Sequence, residues 1–223
     1  MDLKHYDLLA DLFDYPESSF FTKVPHLLVS LKGPYPSAAT EVRIFCDQLL
    51  SRDLDHLQEV YTRSFDVQAI TTLDVGYVLF GDDYKRGAIL SHLSREHKMA
   101  HNDCGTELAD HLPNLLRLIA KSENAEFIQD LAREILAPAL RKMIGEFDPE
   151  RMAKKNQLYQ KHYKTLIEIS PDHATVYRSA LNALFLVIKE DFLIGEEMLA
   201  EPVQNDFLGS LNIEMSVERI VNE

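Results

Sequence analysis

The chain has no tryptophan and only two cysteines, Cys46 and Cys104, among 223 residues. Two thiols cannot build a disulfide framework, so the fold must rest on its apolar core, and a reducing compartment would leave both free. Glycine and proline are also scarce, at 8 and 9. A chain of many short strands draws on both for its turns. Their scarcity, beside recurrent leucine, alanine, glutamate and lysine, points to an all-α protein. Long apolar runs are missing as well: a stretch such as Ala183 to Ile188 falls far short of the ~20 residues of a membrane span. The first thirteen residues carry Asp2, Asp7 and Asp11, unlike the cationic start of a secretory signal. The expectation is a cytoplasmic protein that inserts nothing into a membrane.

Positive charge is in deficit, with 23 Lys and Arg against 36 Asp and Glu and a formal charge of -13. Nucleic acid and anionic lipid are disfavoured as partners, because both are bound by displacing counterions with a basic surface. The deficit is uneven. From Lys189 to Glu223 nine acids face two bases. This divides the chain into a helical domain over residues 1–188 and an acidic, partly disordered extension over 189–223, which could also attract a basic peptide. With 46% apolar and 26% charged residues, one domain with one core is expected.

Helical periodicity recurs along the chain. Leu8, Leu9, Leu12 and Phe13 form a stripe that Tyr15-Pro16 ends. A short helix through Leu27, Leu28 and Leu31 stops at Gly33-Pro34, and another begins at Pro36 with Val42, Phe45 and Leu49 inward. Leu54, Leu57, Tyr61 and Phe65 make a seam that puts the two aromatics on one face, with Asp66 beside it. Gly81 reads as a helix stop, Asp82 or Asp83 as the cap of a helix running to about His101, and Asp82 with Arg86 as an i, i+4 pair. Gly87 within that helix costs about 1 kcal/mol relative to alanine, which suggests that another helix, or a bound peptide, approaches the backbone there. Pro113 suits the first turn of the next helix. Ser122 is read as a cap, Pro138 as a kink or stop, residues 150–169 as a helix with Tyr163, Leu166 and Ile167 apolar, and Val176, Ala180, Leu184 and Val187 as the last helix.

Catalytic patterns are missing. No histidine has glutamate three residues before it, which excludes a ferritin-like di-iron site. His97 and His101 share a face, with Cys104 and His111 beyond, but no second Cys/His pair at zinc spacing accompanies them. Gly76 and Gly81 have phosphate-loop spacing, yet Asp82 and Asp83 follow where lysine and a hydroxyl are needed. No nucleophile elbow occurs. The chain reads as a binding protein rather than an enzyme, with no resident cofactor.

What remains are three blocks: Tyr61-Thr62-Arg63-Ser64-Phe65-Asp66, Phe80-Gly81-Asp82-Asp83-Tyr84-Lys85-Arg86-Gly87-Ala88, and Glu107-Leu108-Ala109-Asp110-His111-Leu112-Pro113. With Leu9 to Pro16 and Ile135 to Leu140 they resemble the NarJ/TorD family of molybdoenzyme maturation chaperones, nearer its nitrate reductase delta-subunit branch. The resemblance covers roughly residues 5–140. Ala109 departs from it, standing where the family often has proline, and the acidic extension has no counterpart.

The resemblance implies a single-domain helical bundle of the TorD/NarJ-like type without catalysis of its own. It implies a cytoplasmic chaperone that binds the N-terminal segment of a molybdoenzyme catalytic subunit, as in nitrate reductase assembly, and assists insertion of the molybdenum cofactor. A basic amphipathic peptide helix would enter a groove. Tyr61, Phe65 and Leu90 would line it, Asp66, Asp82, Asp83, Glu107 and Asp110 would rim it, and Arg86, His111 and Leu112 complete the peptide-binding set. Gly81, Gly87 and Pro113 would hold the shape. Monomer and homodimer both fit the pattern. The competing readings are a helical adaptor without a molybdoenzyme client and, further off, a metal-dependent hydrolase.

Overall fold

The computed structural model describes residues 2–49, 53–162 (backbone only from 158) and 175–195. Among these residues the regular elements are helices, joined by a lone β-bridge between Asp74 and His111. In chain order they are α1 (His5–Ala10), α2 (Phe20–Leu31), α3 (Pro36–Leu49), α4 (Leu54–Phe65), α5 (Val75–Phe80), α6 (Tyr84–Met99) and α7 (Leu112–Lys121). Then come α8 (Ala125–Asp130), a π-helical turn (Leu131–Leu136), α9 (Ala137–Glu146), α10 (Pro149–His162) and α11 (Val176–Asp191). The protein is an all-α, single-domain helical bundle, as its periodicities indicated.

α11 is the central post. Val176, Tyr177, Ala180, Leu184 and Val187 are fully buried, and the helix packs chiefly on α3 and α9, while α1 packs on α7. Fully enclosing such side chains stabilises by roughly 1.5–3 kcal/mol each. The stripe of α1 and its following turn, Leu9, Leu12 and Phe13, is likewise fully buried.

Several local expectations are corrected. Ser122 closes α7, whereas the cap of α8 is Asn124, whose Oδ1 accepts from Phe127 N at 3.2 Å. Pro138 stands in the first turn of α9, directly after the π-helical turn that interrupts the α-helix carrying Phe127 and Ile128. The wider turn is where a chain tolerates the amide that proline lacks. Gly87 is exposed, and a β-carbon there would meet nothing within 4 Å, so among the described residues no helix approaches it. Tyr163, Leu166 and Ile167, and the extension from residue 196 onward, lie outside the described residues.

Candidate functional site

The three sequence blocks meet where α4 ends, α6 begins and the loop before α7 crosses both. α5 is too short to hold itself, and its start is fixed by strand-like pairing: Val75 N donates to Asp110 O (3.0 Å) and Leu112 N to Leu73 O (2.9 Å). Around this bridge lies a charged network. Arg86 donates from Nε to Asp110 Oδ2 (3.0 Å) and from Nη2 to Asp74 Oδ2 (2.9 Å). Its guanidinium also stands 5.3 Å from the Tyr77 ring centre. His111 Nδ1 lies 3.2 Å from Asp74 Oδ1 and 3.9 Å from Glu107 Oε2.

Asp110 is therefore not a rim group. Its side chain is 0% exposed, and a carboxylate removed from water needs a fixed cation and hydrogen bonds. Arg86 supplies them, so it does not form the expected pair with Asp82. Hydrogen bonding to His111 holds the Asp74 carboxyl below its ordinary range, and Arg86 adds to this against the effect of burial.

The loop that carries Glu107 and Asp110 is pinned from beneath. Buried His97 donates from Nε2 to Ala109 O (3.0 Å), while Asn102 Nδ2 lies 2.9 Å from its Nδ1 and 3.1 Å from Asn114 O. Lys121 Nζ donates to Asn102 Oδ1 at 2.7 Å, and Asn114 Nδ2 to the carbonyls of Cys104 and Leu108. Burial, with Lys121 nearby, lowers the His97 pKa, which favours the neutral ring these bonds require. With both its nitrogens so engaged, His97 does not combine with His101, Cys104 and His111. Among the described residues no group of three or more His, Cys, Asp or Glu is placed to hold a metal.

The aromatics expected to line a groove are in the core. Tyr61 is 5% exposed and Phe65 6%, their rings packed edge to face with Tyr177, whose centre lies 5.9 Å from Tyr61 and 4.8 Å from Phe65. The reason is the segment after α1, residues 11–16, which lies over α4. Tyr61 Oη donates to Phe13 O (3.2 Å) and Gln58 Nε2 to Pro16 O (2.9 Å), and Tyr15 sits edge-on to Tyr61, 52% exposed. Leu112 and Pro113 are also buried, and Leu90 is half-buried against the core.

Asp66, Asp82, Asp83 and Glu107 are exposed, as a rim requires. Asp83 caps α6 by accepting from Lys85 N (3.0 Å), and Gly81 ends α5 at φ 60°, a left-handed value that glycine adopts without strain. Partial burial raises the Asp66 carboxyl and neighbouring Glu107 raises it further, while His111 opposes. Burial pushes the Tyr61 phenol up, and Asp66, Asp14 and Glu107 add to the shift. These acids thus lie close enough to Tyr61 to disfavour its ionisation. Their chain neighbours Tyr15, Val67 and Leu108 are exposed.

No family model matches this chain, and no curated protein matches it significantly.

Sequence reasoning missed Asp74, Asp14 and Arg117, and weighed Gly76 only as a phosphate-loop glycine. Arg117 reaches Asp14 through Nη1 (3.1 Å) and Nη2 (2.5 Å), tying α7 to the 11–16 segment. A β-carbon on Gly76 would stand 2.6 Å from Asp110 Oδ2. Aspartate immediately before a short apolar helix was the available signal for Asp74, but it reads locally as a cap.

Proposed function

We propose that this protein is a cytoplasmic chaperone of the NarJ/TorD type. It binds the basic, amphipathic N-terminal segment of a molybdoenzyme catalytic subunit, of the nitrate reductase class, and keeps it from premature assembly while the molybdenum cofactor is inserted. It acts by binding and not by catalysis. The observation that carries the reading is the end of α4, where the carboxylates of Asp14, Asp66 and Glu107 act electrostatically on Tyr61 and their chain neighbours Tyr15, Val67 and Leu108 are exposed. Apolar side chains there receive the hydrophobic stripe of a bound helix, and the carboxylates select for its basic residues. Apolar burial supplies most of the affinity, since exposed charge pairs contribute only about 0–1 kcal/mol each.

The test is isothermal titration with N-terminal peptides, each about thirty residues, of the molybdoenzyme catalytic subunits encoded in the same genome. Saturable binding of one peptide, weakened by Asp66→Ala or Glu107→Ala and abolished when the peptide's apolar stripe is made polar, is the expected result. Failure of all of them to bind the folded protein would leave a helical adaptor for another partner.

A further inference from the structure

His111 is placed by the backbone. It lies opposite Asp74 in the lone β-bridge, and residues paired across an antiparallel bridge project to the same side, which sets Nδ1 3.2 Å from Asp74 Oδ1. The turn in which His111 N donates to Leu108 O (3.1 Å) brings Glu107 Oε2 to 3.9 Å from the same ring nitrogen. Asp66, at the end of α4, is acted on by both Glu107 and His111. The charged groups of the elements that meet here are Asp66 of α4, Asp74 before α5, Arg86 of α6, and Glu107 and Asp110 of the loop. Arg86 is engaged by Asp74 and Asp110, and Asp14, the further acid acting on Tyr61, is paired with Arg117. Glu107 and Asp66 therefore have no permanently charged partner among the described residues. The imidazole is the one group that answers their charge, and histidine is the side chain that ordinarily gains or loses charge between about pH 5 and 8. A carboxylate oxygen only accepts, so Nδ1 keeps its proton towards Asp74 and the proton that comes and goes is the one on Nε2.

We infer that His111 is the proton-linked counter-ion of the peptide-binding face: the imidazolium balances Glu107 and Asp66 in the free protein, a lysine or arginine of the bound segment replaces it beside those carboxylates, and the Nε2 proton passes to water as the segment docks. The inference rests on the peptide-binding reading above and deepens it by naming its regulation. Two cations beside the same acids repel each other, so proton and peptide compete. Acid keeps the proton on the ring and weakens binding, whereas alkali removes it beforehand and strengthens binding. By reciprocity, the bound peptide lowers the pH at which His111 titrates.

Titration of the full chain at constant ionic strength tests this, using N-acetylated thirty-residue molybdoenzyme peptides with any histidine replaced by asparagine. Affinity for the native protein should rise about threefold to tenfold from about pH 5.5 to about pH 7.5, the range that a shift of about 0.5–1 pH unit in one linked group produces. His111→Asn keeps a donor for Asp74 and cannot titrate. It should give a flat profile, binding at the acid end as tightly as the native protein binds at the alkaline end, whereas a merely structural role would weaken binding at both ends. By NMR, the His111 titration midpoint should fall by about 0.5–1 unit when peptide binds, and that of His26, exposed on α2, should not follow. A peptide that binds the native chain with a flat pH profile, or without moving the His111 midpoint, overturns the inference and leaves the chaperone reading standing. If no such peptide binds, the client class is lost and hexa-arginine becomes the probe. A fall in the His111 midpoint that Glu107→Gln abolishes then retains the proton link, and the absence of a fall overturns it too.

Discussion

The carboxylate of Asp110 occupies the space beside Gly76, its Oδ2 2.6 Å from where a β-carbon on that glycine would stand. Backbone and charge are locked together here. Arg86 can reach the buried carboxylate because α5 passes close enough for only a glycine to fit, and the Val75 N to Asp110 O bond holds that approach.

Two glycines in neighbouring helices should consequently respond in opposite directions to alanine. Gly76→Ala must move Asp110 or α5 and is expected to destabilise by about 1–3 kcal/mol. Gly87→Ala adds a methyl to open solvent on α6 and should stabilise by about 0.5–1 kcal/mol through helix propensity. Urea unfolding of both variants measures this, and a loss of stability in Gly87→Ala would imply a role for that surface that free packing does not reveal.

Acids assigned to one rim by sequence should separate by their structural work. Asp110→Ala leaves Arg86 half-buried without its enclosed partner and is expected to cost about 3–5 kcal/mol. Asp66→Ala, at an exposed position, should change stability by no more than about 0.5 kcal/mol. Thermal unfolding of the two variants side by side decides it; similar losses would mean that Asp66 carries an interaction absent from the geometry.

His97 should make stability depend on pH on the acid side of neutrality. Its folded pKa is lowered from 6.5, so below about pH 6.5 the unfolded chain binds a proton that the folded chain refuses, and stability falls as pH falls. The slope from this one group is at most about 1.4 kcal/mol per pH unit. His97→Gln can still donate to Ala109 O and does not titrate, so its unfolding free energy should be flatter between pH 6.5 and 5. An unchanged slope would assign the effect elsewhere.

A second acid limb should appear at lower pH from Asp74 and Asp191. Asp191 accepts from Tyr35 Oη (2.5 Å) and pairs with His5 Nε2 (2.8 Å), joining α1 and the segment before α3 to the end of α11. Although burial opposes it, these bonds to His5 and Tyr35 hold its carboxyl below the ordinary range. Both acids have depressed folded pKa values, so the stability they add is present above the usual unfolded value near 4 and disappears as pH falls through their lower native values. Asp191→Asn should lose about 1.5–3 kcal/mol at neutral pH and show a weaker decline below pH 4 in denaturant titrations.

Much of the fold was legible in the sequence because it depends on local periodicity. Leu54, Leu57, Tyr61 and Phe65 repeat at helical spacing whatever packs on them, and Gly81, Asp83 and Pro113 mark helix ends through backbone chemistry alone. The charge balance and scarcity of glycine and cysteine likewise bounded the class without any contact being known. Tertiary structure decided which face of each residue meets water. Asp110 and Asp66 look alike in sequence, yet one is enclosed with Arg86 and the other is exposed, because burial depends on segments far apart in the chain. For the same reason Tyr61 and Phe65 read as a groove from their spacing, whereas in the fold residues 13–16 bond to and stack on the Tyr61 side and Tyr177 packs against both rings. Gly76 read as part of a failed phosphate loop until Asp110, thirty-four residues on, was seen to fill its side-chain space.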